Sequence, residues 1–220
     1  MVKGVIFDLD GTLIDTIEGL ANSVNAAMDF YNFPKHSIEK YRSFVGNGVG
    51  KLVERALPED KKHLKDEARK IFEKHYTETM LNILPVYDGI EELLAYLIKN
   101  NIKIAVNTNK MDVFAKPMIK KVFGDMFFEV LGEVSHFERK PSPDGVNYLL
   151  EKMGIDRTEC LYVGDSQVDI KTARNAQMRC VSVTWGFATM DVLLANEPEI
   201  LVSDPREIID LIERENYNAG

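Results

Sequence analysis

VIFDLDGTLID, residues 5–15, runs three apolar residues, Val5, Ile6 and Phe7, directly into two aspartates, Asp8 and Asp10. A near-continuous apolar run of this kind reads as a strand covered on both faces, as in a parallel sheet. Carboxylates are costly to bury unpaired, and two side by side repel each other. The pair is therefore either a polar turn that happens to be acidic, or a site that uses negative charge to hold a metal ion and attack a substrate.

Similar apolar runs recur at residues 102–106, 127–131, 160–163 and 180–184, with a weaker one at 200–202. Helix-period segments fall between them. One follows Asp88, with Leu93, Leu94, Leu97 and Ile98 on one face, and others cover residues 113–122, 143–153, 168–176 and 206–213. Asp88 is placed as the cap of the first, and Ser142 as the cap of the 143–153 helix with Pro143 at its first position. Strands alternating with helices predict an α/β doubly wound parallel sheet.

Residues 16–84 break that rhythm. They hold no strand-like run and read as successive helices: 16–31 behind Asp15, 38–44 behind Ser37, 49–56, and 61–79 with Leu64, Ala68, Ile71, Phe72 and His75 on one face. The expected organisation is a core of residues 1–15 and 85–220, with residues 16–84 as an α-helical insertion over the edge of the sheet.

A chain of 220 residues suffices for one large domain or a core plus a smaller insertion. Its 27 basic and 35 acidic side chains give a formal charge of −8, a field that repels nucleic acid and anionic membranes, so neither is expected as a partner. An anionic substrate would have to meet a few local cations or a bound metal. No apolar run nears the ~20 residues that span a bilayer, and Asp8 comes too early for a secretory signal. Cys160 and Cys180 read as buried free thiols of a cytoplasmic protein. His36, His63, His75 and His136 show no metal-ligand spacing and read as surface or half-buried. Monomer and homodimer are both left open.

In an open parallel sheet, ligands gather beyond the carboxyl ends of the strands. The polar residues at those ends form a set: Asp8 and Asp10, then Thr108, Asn109 and Lys110, then Arg139 and Lys140, then Gly164, Asp165 and Ser166 with Asp169 one turn on. The set resembles, in order, the four motifs of the haloacid dehalogenase superfamily: Asp8–Leu9–Asp10–Gly11–Thr12, an apolar strand ending in Thr108, Lys140 before a proline, and Gly164–Asp165 with Asp169. The likeness runs to about Trp185. It implies a Rossmann-like core with a helical cap inserted after the first motif.

The resemblance also implies roles. Asp8 would be the nucleophile and become an aspartyl phosphate, which splits one hard step into two. Phosphate monoesters warrant such machinery, since catalysis of their hydrolysis reaches up to ~10²¹-fold. Asp10 would protonate the leaving oxygen and then deprotonate the attacking water, help worth roughly 10²–10⁴-fold. Mg²⁺, a hard cation that favours oxygen ligands, would be held by Asp8, the carbonyl of Asp10 and Asp165, with Asp169 supporting nearby. Lys140 would balance the negative cluster and clamp the phosphoryl oxygens, with Thr108 and adjacent amides donating to the same oxygens. Asn109 is grouped with them as phosphate-binding, although a turn role fits it equally well, as it fits Ser166. Asp15 reads as a cap. Because Asp10 is present, a leaving oxygen that needs protonation is favoured over carbon–halogen or carbon–phosphorus cleavage.

The stretch YRSFVGNGVGKLVERAL, residues 41–57, carries Gly46, Asn47, Gly48 and Gly50 between two helical segments. Glycines there allow a tight turn and a close approach to a ligand, and the phrase resembles the cap of phosphoglycolate phosphatases. Gly46, Asn47 and Gly48 are therefore the expected substrate-specificity loop, and Arg42, Lys51 and Arg55 are candidate carboxylate partners. The expectation is a Mg²⁺-dependent phosphatase of a small phosphorylated metabolite, with 2-phosphoglycolate leading. A pyrophosphatase or nucleotidase of the same family, a β-phosphoglucomutase-like phosphomutase and a non-catalytic binding relative are the alternatives.

Overall fold

The structure is a computed structural model that describes residues 1–134 and 136–218. Six strands, β1 (Gly4–Phe7), β2 (Lys103–Met111), β3 (Glu129–Glu133), β4 (Cys160–Gly164), β5 (Arg179–Val183) and β6 (Ile200–Val202), form one sheet in the order β3-β2-β1-β4-β5-β6. Every pairing is parallel. The order reverses beside β1, where the loops after β1 and β4 part and leave the crevice in which α/β sheets bind ligands.

The helices cover both faces of this sheet. Val5 and Phe7 join a cluster with α5 (Ile90–Lys99), α6 (Asp112–Phe123) and α10 (Arg206–Asn218). Ile6 points the other way, into a cluster with α7 (Asp144–Met153), α8 (Gln167–Asn175) and α9 (Met190–Leu194). Burial on both faces explains why the strand sequences run apolar without alternation.

Between β1 and α5 the chain is helical: α1 (Ile17–Phe30), α2 (Ile38–Arg42), α3 (Val49–Ala56), a 3₁₀ turn at Glu59–Leu64 and α4 (Lys65–Thr79). These helices have their own core, built from residues such as Leu20, Val24, Leu52, Val53 and Phe72, and it also takes in Phe114 and Met118 of α6. The joint is aromatic. Phe72 stacks on Tyr76 at 5.1 Å, and Tyr76 meets Phe114 edge-on at 5.1 Å. Each such pair is worth about 0.5–1.5 kcal/mol beyond the area it buries. The helical layer is thereby seated on the sheet domain through α4 and α6.

Several local expectations shift. The second strand does not stop at Val106 but continues to Met111. Its pairing with β3 jumps from Asn107↔Leu131 to Met111↔Glu133, a bulge that leaves Thr108, Asn109 and Lys110 without β3 partners and re-aims them. The amphipathic fourth helix starts at Lys65 rather than 61, and it buries Ala68, Phe72 and Tyr76 instead of His75. The second ends at Arg42 rather than 44, still behind Ser37, whose side chain accepts from the Lys40 N–H. The last runs on to Asn218.

Three caps differ. Gly89 (φ +82°) opens α5, while the Asp88 carboxylate takes a hydrogen bond from Arg206. Pro143 itself is the cap of α7, one residue later than expected, and Ser142 Oγ accepts from the Asp144 N–H. Thr16 caps α1, with Asp15 just outside accepting from Ile17 N–H and from Arg42. Both cysteines are buried and free. Among the described residues no helix is long and apolar enough to cross a membrane.

Candidate active site

The sheet brings together residues that lie far apart in the chain. Asp8 leaves the end of β1, Asp165 the end of β4, Asp169 sits in the first turn of α8, and Lys140 comes from the segment between β3 and α7. Oxygens of Asp8, Asp165 and Asp169 lie within 4.8 Å of one another. The Lys140 side chain is 3% exposed, and its Nζ stands 2.9 Å from Asp8 Oδ1 and 2.7 Å from Asp169 Oδ1.

Each member is held by the local fold. Ser166 and Asp169 form a reciprocal capping box at the start of α8, and Ser166 Oγ donates to Asp169 Oδ2 at 2.6 Å. Asp169 Oδ1 accepts from Lys140 Nζ and from the Tyr162 hydroxyl at 3.3 Å. With both oxygens engaged, Asp169 fixes the lysine. Asp165 Oδ2 accepts from the Phe187 N–H at 2.6 Å, and Thr12 Oγ1 approaches Oδ1 at 3.4 Å. Gly186 presses on the same carboxylate so closely that a Cβ there would lie 2.2 Å from that of Asp165.

This packing has an electrostatic cost. Burial, partly offset by Lys140, pushes the Asp8 carboxyl up to about 7, with Asp169 adding to the rise. Burial also raises Asp165 well above the carboxylate range, reinforced by Asp169 and Asp8. Burial pulls on the Lys140 ammonium in the opposite sense, but Asp169 and Asp8 outweigh it and lift Lys140 well above its ordinary value.

Asp8 Oδ1 is buried and has no hydrogen-bond donor among the described residues, only the ion pair with the Lys140 ammonium at 2.9 Å. With all three carboxylates ionised against one ammonium, two negative charges would remain to be offset. Hard oxygen donors, an orphaned oxygen and that charge fit a divalent cation.

The second aspartate has different company. Asp10 Oδ1 accepts from Thr16 Oγ1 at 2.6 Å and from Lys110 Nζ at 2.9 Å, while Lys110 reaches Oδ2 at 3.2 Å. The Asp10 side chain stays outside the three-carboxylate cluster. Thr108 lines the same cavity as Asp8 and Asp10, and its Oγ1 accepts from the Lys110 N–H. Asn109 is a brace: its side chain accepts from the Lys140 N–H at 2.9 Å and donates to the carbonyls of Lys140 and Gly46. One amide thus ties the lysine segment and the cap turn to β2.

A cavity of about 400 Å³ opens over these groups. Asp8, Asp10, Thr108, Lys140 and Asp165 form its floor, and Leu20, Val49, Leu52, Tyr76, Phe114 and Val192 give it an apolar wall. Gly46 (φ +105°) and Gly48 (φ +80°) line it from the turn between α2 and α3. Asn47 does not line it and instead accepts from Arg55 at 2.8 Å, a contact that stiffens the turn. Of the three cap cations, only Arg42 lines the cavity. Lys51 pairs with Glu54 at the surface, and Arg55 holds Asn47 and the Phe44 carbonyl.

Two contributions carry no role in the sequence reading. Lys110 stands at i+2 from Thr108, so on an extended strand both side chains face the same side, and that spacing could have flagged it. Trp185, Gly186 and Phe187 follow β5 and close over the first motif, with Trp185 Nε1 donating to the Thr12 carbonyl at 3.1 Å. Their signal is position alone, beyond a strand's carboxyl end.

The sequence model of the haloacid dehalogenase-like hydrolases matches residues 5–183. A phosphoglycolate phosphatase of Vibrio vulnificus is 33% identical, over 96% of each chain, and one of Yersinia pseudotuberculosis is 30% identical, over 96% of this chain and 93% of that one. A solved Haemophilus somnus structure, described as a predicted phosphoglycolate phosphatase, has a TM-score of 0.87 at 31% identity, covering 96% of this chain and 98% of that one. A Lactobacillus delbrueckii subsp. bulgaricus structure reaches a TM-score of 0.89 at 27% identity, with the same coverage.

Proposed function

The chain belongs to the haloacid dehalogenase-like hydrolase family, and we propose that it is a Mg²⁺-dependent phosphoric monoester hydrolase acting on a small phosphorylated metabolite, with 2-phosphoglycolate the leading candidate. The observation that carries this reading is the orphaned Asp8 oxygen beside Asp165, Asp169 and Lys140, at the floor of a cavity. The reading divides the chain into a catalytic core, residues 1–15 and 85–220, and a cap, residues 16–84. Residues 135, 219 and 220 lie outside those described.

In the first step an Asp8 carboxylate oxygen attacks phosphorus. The bond to the leaving oxygen breaks, its electron pair stays with that oxygen, and Asp10 supplies a proton. In the second step Asp10 takes a proton from water, which attacks the phosphorus of the aspartyl phosphate and frees inorganic phosphate and Asp8. Lys140, held by Asp169, offsets charge on the phosphoryl oxygens, and Thr108 Oγ1 donates to them. Mg²⁺ held by Asp8, the Asp10 carbonyl and Asp165, with Asp169 in support, would neutralise phosphoryl charge and orient the ester for in-line attack.

The relatives' common name supports phosphoglycolate. So does Arg42, a cap guanidinium on the cavity wall that suits the substrate's carboxylate. The test is a panel of 2-phosphoglycolate, pyrophosphate, nucleoside monophosphates and sugar phosphates, assayed with Mg²⁺ and with EDTA. Metal-dependent turnover with 2-phosphoglycolate well ahead is expected. Equal rates on unrelated esters would remove that substrate, and no metal-dependent turnover would remove the phosphatase reading.

A further inference from the structure

Two lysines enter the cavity floor, and only one of them belongs to the phosphoryl site described above. Lys110 has a side chain 2% exposed, yet among the described residues its ammonium pairs with one carboxylate only, that of Asp10, which it spans at 2.9 and 3.2 Å. The Tyr76 ring lies over it, 4.9 Å from Nζ to the ring centroid. Burying an ion pair for stability alone is a poor strategy, because well-packed apolar residues often serve as well or better. A fixed ammonium at this point therefore calls for another use.

The geometry around Asp10 suggests one. Thr16 and Lys110 both donate to Oδ1, while Oδ2 carries only the longer contact to Lys110. Oδ1 is pinned, and Oδ2 is the oxygen with capacity left for a reacting proton. The bulge in β2 brings Lys110 there, and the cap's Tyr76 covers it. The pin is thus shared by the core, which supplies the lysine, and the cap, which shields it from water.

We infer that Lys110 is a positioning residue for phosphoryl transfer, holding the Asp10 carboxylate so that Oδ2 delivers its proton to the departing oxygen. This rests on the proposed roles of Asp8 and Asp10. In that step the Asp8–phosphorus bond forms and the phosphorus–leaving-oxygen bond breaks. The leaving oxygen keeps the electron pair, takes the Asp10 proton and departs as an alcohol, and Asp10 remains as a carboxylate facing the Lys110 ammonium. In this role Lys110 acts directly on neither substrate nor phosphorus. Its effect reaches the reaction through Asp10 alone and so depends on how much the leaving group needs a proton.

That dependence separates positioning from mere packing. The measurement is kcat/KM, which covers steps up to departure of the leaving group, for wild type, Lys110→Met and Lys110→Arg. The substrates are 2-phosphoglycolate, glycerol 2-phosphate and p-nitrophenyl phosphate, all with Mg²⁺. Lys110→Met is expected to lose about 10²-fold on both alkyl esters, the scale of general acid help, and less than about tenfold on the aryl ester, whose leaving group departs without a proton. Lys110→Arg is expected to recover part of the alkyl loss. In an Asp10→Asn background, Lys110→Met should cost the alkyl esters nothing more, as coupled residues require.

Equal losses on all three esters, or a full further loss in the Asp10→Asn background, would overturn the inference and leave the phosphatase reading standing. A loss confined to 2-phosphoglycolate would also overturn it, since Lys110 would then be reading the substrate's carboxylate. A wild-type protein inactive on every ester would overturn the reading of Asp8 and Asp10, and this inference with it.

Discussion

At the strand ends, Asp8, Asp165, Asp169 and Lys140 are buried, charged and locked to one another and to backbone groups across four separate segments. Across the cavity, the cap presents Leu20, Val49, Leu52 and Tyr76, with Gly46 and Gly48 at the turn and Arg42 as its one lining cation. In the proposed reading the floor does the chemistry common to phosphate esters, and the cap wall meets whatever the phosphate is attached to. Changes on the floor should therefore act on kcat for every ester, and changes in the cap on KM for particular ones.

The largest expected effect is on the floor. Asp8→Asn should lower kcat by at least ~10⁴-fold on all esters, as loss of a nucleophile does, and a variant retaining a tenth of the activity would refute the assignment.

Metal binding comes next, and its sign follows from burial. Asp8 is pushed up to about 7 and Asp165 is also raised, so folding without metal favours their protonated forms. Stability from these two groups is present below the ordinary carboxylate range and is lost as pH rises through their raised values, about 7 for Asp8. A divalent cation favours the ionised forms instead, so Mg²⁺ should raise Tm more at pH 8 than at pH 6. An equal rise at both would argue against these carboxylates as its ligands.

Cap changes should be milder. Arg42→Ala is expected to raise KM for 2-phosphoglycolate about tenfold, near 1.4 kcal/mol, while leaving p-nitrophenyl phosphate little affected. Equal increases on both would place Arg42 in general cap docking, through its pair with Asp15. The smallest effect belongs to Lys51, whose partner Glu54 lies on an exposed helix surface. Lys51→Ala should shift stability by no more than about 0.5 kcal/mol and leave the kinetics alone, and a marked rise in KM would return it to the list of substrate contacts.

The same contrast governs what could be read from the sequence. Asp8, Asp165 and Asp169 were legible because residues at the carboxyl ends of parallel strands converge, whatever their distance along the chain. Lys140 entered through its motif. The alternation of strand and helix gave the doubly wound sheet, and its interruption after residue 16 gave the helical layer. The i+2 spacing from Thr108 could have flagged Lys110, but its pairing with Asp10 depends on the β2 bulge, which no local residue pattern announces. The turn with Gly46, Asn47 and Gly48 is visible in the sequence, but which of the three line the cavity is not: both glycines do, while Asn47 accepts from Arg55. Arg42, Lys51 and Arg55 looked alike as charges. Only packing separates a cation that lines the cavity from one in solvent and one that staples a turn.

The central claim is that Asp8 carries the phosphoryl group, and it can be tested on the protein itself. Single turnovers with labelled substrate and Mg²⁺, quenched in acid within the dead time of a rapid mixer, should yield a peptide that contains Asp8 and is heavier by one phosphoryl group. With p-nitrophenyl phosphate, whose leaving group needs no proton, Asp10→Asn should accumulate it, because water is no longer activated, and Asp8→Asn should lack it. Label on a peptide without Asp8, or free phosphate released at full rate by Asp8→Asn, would contradict the account.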